Sequence, residues 1–149
     1  MSDNYMREMV VPNDTKYLTD VREMVSSVLS NSSIAGKARN MIVLAVDEAI
    51  ANIMEHATDN KLDSDIKIEL CVKSDDEKFQ IIIRDSGKRF DPTGIEDVDV
   101  KNHLKSGKKH GLGIFLIRQI MDEVHYTYKK DCVNELSMIK YINKISEVN

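Results

Sequence analysis

The stretch Met41-Ile42-Val43-Leu44-Ala45-Val46-Asp47-Glu48-Ala49-Ile50-Ala51-Asn52-Ile53-Met54-Glu55-His56 carries two stripes at once. Ile42, Val46, Ala49 and Ile53 step by four, three and four, the spacing of a helical ridge turned toward a core. Beside them run Met41, Leu44, Glu48, Asn52 and Glu55, apolar at first and polar toward the C-terminal half. A helix merely solvated on that flank is polar along its whole length. This one sets a carboxylate and an amide beside an apolar ridge, late in the helix, which Ser32 or Ser33 caps so that it runs from about Ile34 to His56.

Outward from that helix the chain alternates between strand and helix patterns. Upstream, residues 6–11 predict a short strand stopped by Pro12 and Asn13. Asp14 or Thr15 then caps a helix to about Leu29, striped by Leu18, Val21, Val25, Val28 and Leu29. Downstream, Ile66–Val72 and Phe79–Arg84 are β-branched or aromatic runs joined by a hairpin turn at Ser74–Glu77. Residues 86–110 hold Gly87, Pro92, Gly94 and Gly107 without a strong period, the pattern of a lid loop at about 88–110, with a short helix near 95–104. Leu112–Met121 predicts an apolar helix. Val124–Lys130 and Leu136–Tyr141 close the sheet around a turn at Asp131–Asn134. The order implies an α/β (α+β) two-layer sandwich: a mixed, mostly antiparallel sheet with helices on one face. Repeated βαβ alternation is absent, which excludes a doubly wound fold.

Composition narrows the class. The chain has 149 residues, the length of one domain, so a single domain over 1–149 is expected. Its two cysteines, Cys71 and Cys132, fit neither a disulfide scaffold nor a cysteine-rich zinc site. No stretch approaches the ~20 apolar residues that span a bilayer, and the N-terminus lacks a secretory pattern, so no membrane and a cytoplasmic location are expected. A net charge of -4 argues against direct nucleic-acid binding. The charge is uneven, with Asp91–Asp99 acidic and Lys101–His110 basic.

Three local patterns carry chemistry. Glu48 and Asn52, at i and i+4, share one helix face; the amide oxygen suits a magnesium ion already bearing phosphate, and the carboxylate suits a general base. Asp85-Ser86-Gly87 ends an apolar strand, where Asp85 can accept from an exocyclic amine such as adenine N6 and Gly87 lets a flat ring approach the backbone. Lys108-Lys109-His110-Gly111-Leu112-Gly113 leads into a helix whose first N–H groups attract phosphate, with Lys105, Lys108 and Lys109 adding mobile positive charge. Each pattern alone also fits a solvated helix face, a plain turn or a charged loop. In this order they supply a metal-binding amide, a base, an adenine acceptor and a phosphate-binding helix start, a set that argues for ATP.

With these residues in view, the sequence resembles the histidine-kinase-like ATPase superfamily and, within it, the anti-sigma-factor serine/threonine kinases. Asp47–His56 resembles the family's asparagine box, Asp85–Pro92 its first glycine box, and Gly111–Val124 its second. The resemblance implies an ATP-dependent serine/threonine protein kinase that binds ATP and Mg²⁺ between the helical layer and a mobile lid. By similarity Glu48 is the general base, Asn52 the magnesium ligand, and Asp85 and Gly87 the adenine contacts. Gly111, Leu112 and Gly113 turn the lid past the phosphates, and Ser137 on the last strand sits near the adenine. It further implies a sigma factor and an anti-sigma-factor antagonist protein as partners, and a homodimer. Lys88 and Arg89 follow Gly87 where family members commonly carry another glycine or proline. Two alternatives stand beside this reading: a non-catalytic nucleotide-gated interaction module, against which Glu48 speaks, and a detached histidine kinase catalytic domain. The latter needs a phosphoacceptor histidine on a helix pair, and His125 falls on a predicted strand.

Overall fold

Runs rich in Val, Ile, Tyr and Phe build the sheet. The computed structural model of the chain describes residues 5–56, 66–87, 112–129 and 133–142. Its strands are β1 (Tyr5–Pro12), β2 (Lys67–Ser74), β3 (Lys78–Asp85), β4 (Glu123–Lys129) and β5 (Val133–Tyr141); its helices are α1 (Leu18–Ser30), α2 (Gly36–His56) and α3 (Leu112–Ile120). The strands lie in the order β1-β2-β3-β5-β4, and all four ladders are antiparallel. The sheet is therefore antiparallel throughout among the described residues, and the mixed variant is set aside. The lid at 88–110 and the short helix at 95–104 lie outside the described residues.

One face of the sheet is apolar and covered. Ile68, Leu70 and Val72 on β2, Phe79, Ile81 and Ile83 on β3, and Leu136 and Met138 on β5 are buried at every second position. The α2 ridge Ile42, Val46, Ala49 and Ile53 is buried as its spacing predicts, broadened by Ala45, Ile50 and Met54. α2 lies between its neighbours, packing on α1 at one side and α3 at the other. Burying a side chain such as Phe79, fully enclosed, contributes about 1.5–3 kcal/mol. No helix among the described residues is long and apolar enough to cross a membrane.

Local chemistry sets the element ends. Asp14 Oδ1 accepts from the Lys16 N–H at 3.0 Å and opens a single 3₁₀ turn, Thr15–Tyr17, before α1. Ser32 Oγ accepts from the Ile34 N–H at 3.2 Å, but α2 begins two residues later than its stripe predicts. Ile34 is buried, so the chain first turns inward to seat it, and the first helical bond runs from Arg39 N–H to Ala35 O at 2.9 Å. In the β2–β3 hairpin Asp75 Oδ1 accepts from the Glu77 and Lys78 N–H groups at 2.8 and 2.9 Å, which holds its carboxyl below the usual carboxylate range. β5 begins at Val133, earlier than Leu136, because its ladder with β3 continues to the pair Asp85 and Asn134.

Helix directions follow from the connections. The short α1–α2 link makes those helices antiparallel, and Arg22 of α1 reaches Asp47 late in α2 at 3.0 Å. The end of α2 thus returns to the edge of the sheet from which α1 set out. There the Asn13 N–H donates to Ile66 O at 2.9 Å, beside the start of β2 and the end of β3.

Candidate functional site

Asp85 occupies the last position of β3, in phase with Phe79, Ile81 and Ile83, so the pleat turns its carboxylate to the helix-covered side. It is 6% exposed. Burial is the largest influence on it and pushes its carboxyl above the ordinary range, while hydrogen bonds from the Gly87 N–H and the Asn134 side chain act in the opposite sense. Oδ1 accepts from both, at 2.9 Å from Gly87 N and 3.2 Å from Asn134 Nδ2. Oδ2 has no hydrogen-bond partner among the described residues. A carboxylate with one oxygen saturated and the other open is an acceptor for an N–H donor.

Glu48 and Asn52 are half-buried, one turn apart on α2. Asp47 is committed to Arg22 on the α1 side. Five residues of helix rotate by roughly 140°, so Asn52 lies on the opposite flank of α2 from Asp47. Since α1 packs on the Asp47 side, Asn52 belongs to the flank on which α3 is packed. Its Nδ2 is buried with no hydrogen-bond partner among the described residues. An amide nitrogen left unpaired in this way is uncommon in a folded core; being a donor it cannot hold a cation, so only the Oδ1 of the same amide can serve as a metal ligand. Among the described residues no three histidine, cysteine or acidic side chains group as a metal cage. Magnesium does not need one, since it binds through one or two protein oxygens together with phosphates and water. Asn52 Oδ1 fits that role.

Leu112 and Gly113 form the first turn of α3, whose leading N–H groups have no partner within the helix. Lys105, Lys108, Lys109 and Gly111 lie outside the described residues. The topology brings the late half of α2, the end of β3 and the β2 start to one end of the domain, while β4 begins at the other end, opposite Ile139, just after α3.

Ser137 is placed elsewhere. On β5, Asn134, Leu136 and Met138 are buried against the helices, so Ser137 between them faces the other side of the sheet. Its hydroxyl accepts from Gln80 Nε2 at 3.0 Å and does not share a face with Asp85. The position expected of it near the purine is corrected: the β5 residue beside Asp85 is Asn134, its Cα partner across the ladder. Asn134 is 4% exposed, and its Nδ2 also donates to Gly87 O at 3.1 Å while its Oδ1 accepts a short bond from the Tyr126 hydroxyl. Sequence reading placed Asn134 in a turn, where asparagine is common. The signal available was the alternation of Leu136 and Met138, which carried back two residues lands on it.

His125 pairs with Glu123 at 2.8 Å on the exposed β4. Cys71 is a free thiol on β2, half-buried.

The chain is similar to known proteins in sequence and in fold. The family model described as "Histidine kinase-like ATPase domain" matches residues 11–140. The chain is 34% identical over 142 residues to the serine-protein kinase RsbW of Staphylococcus epidermidis, covering 92% of this chain and 87% of that protein. It is 33% identical over 141 residues to the serine-protein kinase RsbW of Staphylococcus aureus, with the same coverage. Among solved structures, the SiaB–SiaC complex from Pseudomonas aeruginosa matches with a TM-score of 0.64 at 14% identity, over 89% of this chain and 88% of that one. The RsbU and RsbW domains of Rv1364c from Mycobacterium tuberculosis match with a TM-score of 0.60 at 12% identity, over 91% of this chain and 32% of that one. These two likenesses concern the fold. The five-stranded sheet with its helical cover, the family match over most of the chain and the identity to RsbW together make this chain a member of the histidine kinase-like ATPase domain family, of the RsbW serine-protein kinase type.

Proposed function

We propose that this kinase transfers the γ-phosphoryl group of ATP to a serine or threonine hydroxyl of an anti-sigma-factor antagonist, and that it holds a sigma factor when the antagonist is phosphorylated. The observation that carries the nucleotide part is Asp85: buried, with Oδ1 saturated and Oδ2 open to a donor, as recognition of the adenine amine requires. Gly87 leaves room for the purine beside its backbone. The leading N–H groups of α3 receive phosphate oxygens, and Lys105, Lys108 and Lys109 add charge from the lid.

Glu48 accepts the proton of the attacking hydroxyl, and its place one turn before Asn52 puts base and metal ligand on the same flank. Asn52 Oδ1 would hold magnesium, which would supply neutralisation of the charge on the transferred group. The half-burial of both side chains keeps that flank partly dry, which strengthens each electrostatic contact. The protein works in the cytoplasm as a homodimer, following its family.

Phosphate on a co-purified partner tests this reading. After incubation with ATP and Mg²⁺, mass spectrometry should find phosphoserine or phosphothreonine on one bound protein with wild type and far less with Glu48→Ala. Nucleotide binding without any phosphorylated partner would make the chain a nucleotide-gated interaction module instead.

A further inference from the structure

We propose that Asn134, held in place by Tyr126, is a positioning residue that makes the site select 6-amino over 6-oxo purines. The inference rests on the nucleotide reading of Asp85 and concerns how the choice of base is enforced. The Asn134 amide faces two acceptors, Asp85 Oδ1 at 3.2 Å and Gly87 O at 3.1 Å, so its nitrogen must point toward them. A flipped amide would set three acceptor oxygens against one another. The Tyr126 hydroxyl then has one role left toward it, that of donor to Asn134 Oδ1. Tyrosine, asparagine and aspartate therefore form a chain in which every proton points toward Asp85.

That direction has a consequence for the ligand. Asn134 and Gly87 N–H both donate to Oδ1, which favours the ionised carboxylate and fixes its plane. With Oδ1 committed, Oδ2 is left as a pure acceptor. An exocyclic amine, as in adenine, satisfies it. A carbonyl at the same ring position, as in hypoxanthine, places two acceptors together in a buried setting and leaves both unpaired. Asn134 and Tyr126 need not touch the nucleotide to do this. Both act from β4 and β5, on the far side of Asp85 from β2.

The test compares ATP with ITP, which differs at that amine, by direct binding titration of the full chain. Wild type is expected to prefer ATP by about 100-fold. Asn134→Leu should cut the preference to below about tenfold, with ITP affinity unchanged within a factor of two to three, and Tyr126→Phe should lower it in the same direction by a smaller factor. Tyr126→Phe keeps the buried amide and serves where Asn134→Leu fails to fold. A variant that weakens ATP and ITP binding equally, or keeps the full ratio, overturns the proposal and leaves the network a structural brace. Wild type that binds neither nucleotide overturns the nucleotide reading itself, an outcome distinct from binding ATP without discrimination.

Discussion

The backbone N–H of Gly87 donates to Oδ1 of Asp85 at 2.9 Å, so the carboxylate closes the turn that ends its own strand. The same side chain is thereby a structural cap through Oδ1 and, on the proposed reading, a ligand group through Oδ2. Because both tasks use the ionised form while burial opposes it, the fold carries a strained charge at this point.

Asp85→Asn separates the two tasks. The variant is expected to bind ATP at least ~100-fold more weakly, because the amide oriented by its neighbours no longer offers a charged acceptor. Its melting temperature without nucleotide should equal or exceed that of wild type, since a buried charge is removed. Nucleotide titration and thermal melts on the same sample check both halves.

The pH dependence follows from the raised folded-state pKa of Asp85. The folded protein holds this proton more tightly than the unfolded chain, so this group's contribution to stability is present below about pH 4 and is lost as pH rises through the folded pKa. Nucleotide affinity runs the other way and falls as pH drops through that same value. Measured as the difference between wild type and Asp85→Asn, stability and affinity should show opposite slopes over that window.

Asn52→Ala should leave the nucleotide-free protein as stable as wild type or slightly more so, because its buried Nδ2 has no partner to lose among the described residues. With ATP at about 100 times its dissociation constant, wild type should melt about 5–10 °C higher than without it. The part of that rise that depends on added Mg²⁺ should vanish in the variant. A magnesium-dependent rise that persists would remove Asn52 as the ligand.

Glu48→Gln should bind ATP within a few-fold of wild type and transfer phosphate slower by ~10² or more in single-turnover assays. Equal transfer rates would place the base elsewhere.

The core supplies a control. Phe79→Ala, at a fully buried position, should cost about 3–5 kcal/mol, whereas Met6→Ala, 56% exposed on β1, should stay within about 0.5 kcal/mol in denaturant titration.

Much of this was legible in the residues, for reasons of periodicity. The α2 ridge needed only its four-three-four spacing, β2 showed itself by alternation and β3 by its β-branched and aromatic run. The sheet order was not legible, because it depends on β5 inserting between β3 and β4, a pairing across more than fifty residues. Asn134 was hidden by its own type: asparagine suits turns, and only the ladder opposite Asp85 draws it into a strand. Ser137 misled for the complementary reason. A hydroxyl on the last strand invites a ligand role, yet a one-residue step along a strand changes which side of the sheet it serves. Placement of Glu48 beside Asn52 required helix geometry alone, while the basic lid residues fall where the described structure does not reach.

The β3–β5 ladder also sets when during synthesis Asp85 gains its second ladder neighbour. The β2–β3 hairpin can form as soon as both strands leave the ribosome, but Asp85 then has Ile68 as its only ladder neighbour and lacks Asn134 on the other side. Asn134 is translated nearly fifty residues later, after the whole of α3 and β4. A nascent chain carrying only the first two-thirds of the protein therefore holds Asp85 from one side alone, and on the proposed reading the base can be selected only once β5 has been made.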